Sequence, residues 1–242
     1  MKGYQVPDIP TVNTQEDALS LRKGRDQLQA FWAAPDSGGP FPGVLVIHEI
    51  SGLNDNIRTI TRRLAGEGYV ALAVDLFSGR NRAVCLARVF YGILIRPLAN
   101  GTVAEVQSGL NRLRRHPKVD PERTGVIGFC MGGSYALQLA CVDDEMRAAS
   151  VFYAQNPRPL SALAEACPIA GSYPGEDFTA RAGAELEARL EAYEVEYDIK
   201  TYPGARHSFF NSQGGAYDAA AADDAWRRTM AFFEVHMGRS SG

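Results

Sequence analysis

The sequence predicts an α/β architecture: a mostly parallel central sheet with helices on both faces. Three observations carry that expectation. Short runs at 43–49 (GVLVIHE), 69–75 (YVALAVD) and 123–129 (RTGVIGF) are rich in Val, Leu and Ile without polar alternation, as strands buried on both faces are. Segments with apolar residues three or four apart lie between such runs. Strand and helix signals alternate along most of the chain, and the crossovers this implies make neighbouring strands parallel.

The elements follow in order. LSLR, the turn KGRD and then QLQAFWAAP read as a hairpin, and 36–42 (DSGGPFP) reads as a loop. Strand 43–49 comes next. Residues 54–66 form a helix capped by Asn54 or Asp55, with Ile57, Ile60 and Leu64 on one face and Gly66 or Gly68 at its end. After strand 69–75, residues 102–115 are helical, 123–129 is a strand, and MGGSYALQLA turns helical. Strands at 147–154 and 166–173, a helix at 179–192, a strand at 195–202 and a closing helix at 216–237 complete the series. No linker or repeat divides the chain, so 1–242 is expected to be one domain. Segment 78–101, with Arg80, Arg82, Arg88 and Arg96, is either a cap over a site or a plain surface helix.

Composition narrows the function. With 242 residues, 45% of them apolar and 22% charged, the chain is an ordinary globular one; a chain of this size buries roughly three quarters of its unfolded surface and needs no staple. A formal charge of −3 without basic blocks argues against nucleic acid as partner. No run approaches the roughly 18 apolar residues of a membrane span, and the N-terminus has no apolar run of the secretory kind. The four cysteines form no CxxC pair, and the reducing cytoplasm is the expected compartment, with a monomer as the expected state.

In such sheets ligands sit beyond the carboxyl ends of the strands. The residues there are His48, Glu49, Asp75, Cys130, Tyr153, Asp177 and His207. The most informative segment is 125–133 (GVIGFCMGG), where a strand ends, Cys130 sits on a sharp turn, and a helix begins. This is the G-x-S-x-G elbow with Cys in place of Ser. Gly128 and Gly132 permit the close approach of strand and helix. The helix N-terminus is expected to lower the thiol pKa and favour thiolate. The N–H of Met131 points to where an oxyanion would form. A phosphate-cradling loop is the competing interpretation, but the spacing is not GxGxxG and the next strand brings no acid for a ribose. Cys85, Cys141 and Cys167 read as small buried apolar residues.

A thiol nucleophile needs a base, and the base an orienting acid. Asp177 in the turn PGED and His207 in the loop PGARH follow Cys130 in the order nucleophile, acid, histidine. Among the four histidines, His116 fits a cation at a helix end, His236 lies in the last helix, and His48 is the rival base. Glu176 is the rival acid. Glu49 is either a solvated strand-end carboxylate or a second acid able to hold the thiol proton, and Ile50 supplies a second oxyanion N–H. HExxH zinc chemistry fails because Gly52 stands where the second histidine belongs.

HEISGLN at 48–54, AVDLF at 73–77, GFCMGG at 128–133, GSYPGED at 171–177 and PGARHSFFN at 203–211 together make the chain resemble the dienelactone hydrolase family of α/β-hydrolase enzymes over roughly residues 15–238. The resemblance implies a triad of Cys130, Asp177 and His207, with oxyanion donors at Ile50 and Met131. It also implies that Glu49 contacts the thiol before substrate binds and then takes its proton. The implied substrate is an enol-lactone carboxylate, with no metal or organic cofactor. Two arginines hold that carboxylate in the family. One corresponds to Arg80, offset by a residue, and the other position is Asn211 here. Tyr153 joins these two among the expected substrate-binding residues. The lost cation is made good by Arg206, Arg82 or another arginine of segment 78–101, or else the substrate is a different ester or lactone.

Overall fold

The computed structural model describes residues 12–20, 27–78, 82–94 and 98–238. Its sheet has eight strands: β1 (Val12–Ser20), β2 (Gln27–Pro35), β3 (Phe41–Ile47), β4 (Val70–Val74), β5 (Val119–Phe129), β6 (Ala148–Phe152), β7 (Ile169–Glu176) and β8 (Tyr197–Arg206), in the order β1-β2-β4-β3-β5-β6-β7-β8. The hairpin β1–β2 is antiparallel and joins β4 antiparallel. All pairings from β4 through β8 are parallel. This is the mostly parallel α/β sheet that the unalternating apolar runs predict.

Successive side chains on a strand face opposite ways, so each central strand feeds two cores. Leu45 and Ile47 of β3 pack with Leu72 and Val74 on one face, under helices α3 (Gly101–Arg114), α4 (Met131–Ala140) and α5 (Ala180–Ala192). Val44 and Val46 pack with Ala71 and Ala73 on the other, under α1 (Asp55–Gly66) and α6 (Ala219–Met237). Asn54 caps α1, its side chain accepting from the Ile57 N–H at 3.1 Å. Asp218 caps α6 through the N–H groups of Ala220 and Ala221. A 3₁₀ turn at Leu160–Glu165 has no counterpart in the sequence pattern.

Segment 78–101 contains helix α2 (Arg82–Leu94). Cys85 and Ile93 are buried, and Arg88 makes a two-pronged bond to Glu105 of α3 at 2.6 and 2.7 Å. Among the described residues, α2 is thus fastened to the helical layer beside α3. Arg80 and Arg96 lie outside the described residues. Several strands run further than expected: β1 begins at Val12, β3 at Phe41 and β5 at Val119, and two strands extend at their carboxyl ends. β7 begins beyond Pro168, which has no N–H to give a ladder, and continues to Glu176; β8 continues through Pro203 and Gly204 to Arg206. The extension pairs Glu176 with Arg206, so the next residues, Asp177 and His207, leave the sheet side by side.

Candidate active site

The elbow is built by glycines. A Cβ on Gly128 would lie 2.2 Å from the Gly132 carbonyl oxygen, and one on Gly132 would lie 2.3 Å from that of Ile47. Strand β5, helix α4 and the end of β3 therefore meet backbone to backbone. Between them Cys130 takes φ 54°, ψ −118°, a sparsely populated conformation held by Cys130 N–H to Phe152 O (3.0 Å) and Ser134 N–H to Cys130 O (3.1 Å). Its sulfur is half-buried and lies 3.1 Å from His207 Nε2. The backbone amides of Met131 and Ile50, from the start of α4 and the turn after β3, favour negative charge on that sulfur.

His207 Nδ1 lies 2.7 Å from Asp177 Oδ2, and the Thr179 hydroxyl donates to the same oxygen. Burial pushes the Asp177 carboxyl up, but the bonds from Thr179 and His207 outweigh it and hold the group below the usual aspartate value. Glu176, the rival acid, is exposed. His48, the rival base, is buried with both nitrogens engaged. Its Nδ1 donates to the Glu49 carbonyl at 2.6 Å, so Nε2, accepting from Leu76 N–H at 3.0 Å, carries no proton. The neutral ring ties the end of β3 to that of β4, and Asp75 lies 3.5 Å away.

Glu49 is 4% exposed. Its Oε1 accepts from the Tyr153 hydroxyl at 2.7 Å and its Oε2 from the Asn211 amide at 3.1 Å. Burial and the Glu49 charge push the Tyr153 phenol well up, so it stays protonated and donates. Tyr153 is thus behind Glu49, not on an open wall where substrate would touch it. Asn211 likewise meets Glu49, while its own oxygen accepts from Gln213 N–H.

Three expectations need correction. The thiol is not activated at rest. Burial pushes Cys130 up to about 11, the charges of Glu49 and Asp177 add to this, and the Met131 and Ile50 amides offset only part. Glu49 bonds Tyr153 and Asn211, and the thiol bonds His207, in place of the expected contact between them. His116 is not a helix-end cation: burial and the nearby Arg112 and Lys118 charges push it down, and its Nδ1 accepts from Lys118 N–H. As for the compensating arginines, Arg206 donates to the Gly215 carbonyl at 2.8 Å and Arg88 is held by Glu105; Arg80, like the side chain of Arg82, lies outside the described residues.

Thr179 and Phe178 were missed in the sequence. The signal for Thr179 is a hydroxyl two residues beyond the acid. For Phe178 it is a bulky apolar residue in an otherwise polar turn, and the ring is parallel to that of His207.

The family model for the "Dienelactone hydrolase family" matches residues 28–237. The chain belongs to this family. A Saccharolobus solfataricus protein named "Putative carboxymethylenebutenolidase" is 35% identical, with 85% of this chain and 93% of that one aligned. The crystal structure of a "Putative Dienelactone Hydrolase" from Klebsiella pneumoniae superposes with TM-score 0.80 at 26% identity, covering 92% of this chain and 98% of that one. The metagenomic carboxylesterase EstE1 shares the fold, with TM-score 0.71 and 16% identity over 95% and 91% of the two chains. Membership in the dienelactone hydrolase family makes the chain a carboxylic ester hydrolase on the α/β-hydrolase fold. Among the described residues, no helix is long and apolar enough to cross a membrane.

Proposed function

We propose that this chain cleaves small lactones or activated (enol) esters through a thioester on Cys130. The observation that carries the proposal is the continuous line Asp177–His207–Cys130, at 2.7 and 3.1 Å, beside the Ile50 and Met131 amides that favour negative charge at the sulfur. The bound carbonyl carbon approaches Sγ. The thiol proton moves to His207 Nε2, the sulfur electron pair forms the S–C bond, and the carbonyl electrons move to oxygen, where the N–H groups of Ile50 and Met131 receive the charge. Collapse breaks the ester C–O bond, and the leaving oxygen takes the proton from His207. Water, deprotonated by His207, then hydrolyses the thioester. Asp177 keeps Nδ1 protonated throughout, so Nε2 is free to accept.

The nucleophile selects the substrate. Thiolate leaves a tetrahedral intermediate more readily than amide nitrogen or simple alkoxide, so amides and alkyl esters return to starting material. An enolate competes with sulfur as leaving group. Among activated esters, Asn211 favours the reading of broader, uncharged substrates, because a neutral amide stands where the family resemblance implies a carboxylate-binding arginine. A panel of lactones and aryl and enol esters tests the proposal on wild type and Cys130→Ala. Hydrolysis of activated esters should vanish in the variant while its circular dichroism is unchanged. A folded variant that still turns over would overturn Cys130 as nucleophile.

A further inference from the structure

Phe178 is 72% exposed, yet its ring lies parallel to the His207 imidazole, 5.2 Å between centroids and 16° between planes. Its neighbours fix it there. Asp177 Oδ2 binds His207 Nδ1, Thr179 is buried with its hydroxyl on Asp177, and the Asp177 and Thr179 carbonyls accept from Ala180 and Gly183 N–H. The backbone on both sides is thus tethered, and the ring has little freedom left to lose on stacking. A second ring, that of Tyr153, lies 4.9 Å from the imidazole at 55°.

The face of a phenyl ring is negative, so it attracts an imidazolium more strongly than a neutral imidazole. We propose that Phe178 is a positioning residue for His207, favouring the imidazolium that forms when the Cys130 Sγ–H bond breaks and the proton joins Nε2. The added attraction for the cation exists in the transition state and not in the resting site, which is the kind that raises turnover. This rests on the triad reading given above. Other groups act on the same imidazole: Asp177 from the turn after β7, Cys130 from the elbow, and Tyr153 with Glu49 behind it from the ends of β6 and β3. Arg206, next to it on β8, is turned to the Gly215 carbonyl.

The test compares Phe178→Leu, which keeps bulk and loses the ring face, with Phe178→Trp, which keeps both. The readouts are the NMR titration of His207, assigned by its loss in His207→Asn, and kcat and KM for an aryl ester across pH. In Phe178→Leu the His207 midpoint and the acid limb of the rate profile should fall by about half a pH unit. In the same variant kcat should drop about two- to five-fold with KM little changed. Phe178→Trp should stay near wild type in both. An unmoved midpoint in Phe178→Leu overturns the proposal, as does a rise in KM alone, which would make the ring a substrate contact. A moved midpoint beside a hydrolytically active Cys130→Ala would instead overturn the triad and leave the coupling of ring to imidazole standing.

Discussion

Cys130 is protonated at rest because burial and two carboxylates hold its thiol up to about 11, and this has a direct chemical readout. Alkylation of this thiol by iodoacetamide, followed by mass spectrometry, should be slow at neutral pH and rise about tenfold per unit up to about pH 10, in step with the thiolate fraction. Glu49→Gln removes one of the charges opposing thiolate, so at fixed pH its alkylation should be faster than wild type; an equal or slower rate would deny the electrostatic coupling. Asn211→Arg brings a cation to Glu49 and restores a partner for a substrate carboxylate. It should improve kcat/KM for a carboxylate-bearing dienelactone relative to an uncharged aryl ester, and an unchanged ratio would mean that another group already supplies the charge. The elbow that carries Cys130 was legible in GFCMGG, since it is a local pattern. Its protonation state was not. The helix N-terminus is visible in sequence, whereas the desolvation that outweighs it comes from chain segments far from residue 130.

Between β5 and α4 the backbone tolerates no side chain. Gly132→Ala would drive a methyl to within 2.3 Å of the Ile47 oxygen and 2.6 Å of the His48 oxygen, neither of which is a flexible side-chain end. Such overpacking costs about 1–3 kcal/mol, and urea unfolding should show a loss in that range with activity lost as well, since the displaced β3 end carries Ile50 and Glu49. At this scale the sequence was informative where periodicity is strong. Asn54, one of the two caps the pattern offered, precedes helix α1, and β2 spans the nine residues expected of it. The ends of β7 and β8 were misplaced because Pro174, Pro203 and Gly204 look like turn signals, yet these residues continue an edge ladder through a local irregularity. The turn Leu160–Glu165 carries no apolar period long enough to announce it.

Across the whole molecule, the candidate site and the anchorage of α3 sit at opposite ends of the central strands. Arg114 of α3 makes a two-pronged bond to Asp143, just past α4, at 2.8 and 2.6 Å, and both side chains are buried. Burial pushes the Asp143 carboxyl up, but its bonds to Arg114 and Gln107 prevail and hold it below the usual range. A carboxyl with a depressed folded-state pKa contributes stability above its unfolded value, about 4, and loses that contribution as pH falls through the folded value. Arg114→Met leaves the buried Asp143 charge without its cation, with Gln107 as its remaining side-chain partner, and should cost about 3–5 kcal/mol in denaturant unfolding near pH 7, with a smaller penalty in acid and kcat preserved while the protein is folded. The alternation of elements made the layered sheet legible, but the order with β4 outside β3 is a tertiary choice that no local segment encodes. The pairing of Glu176 with Arg206 has a wider consequence. Main-chain register brings acid and imidazole to the same level before any side-chain bond forms between them, so both groups ride on one stiff ruler. Natural variation is then free to redraw the mouth, at positions such as 50 and 211, and acquire new preferences while the spacing of acid and imidazole beneath it is kept.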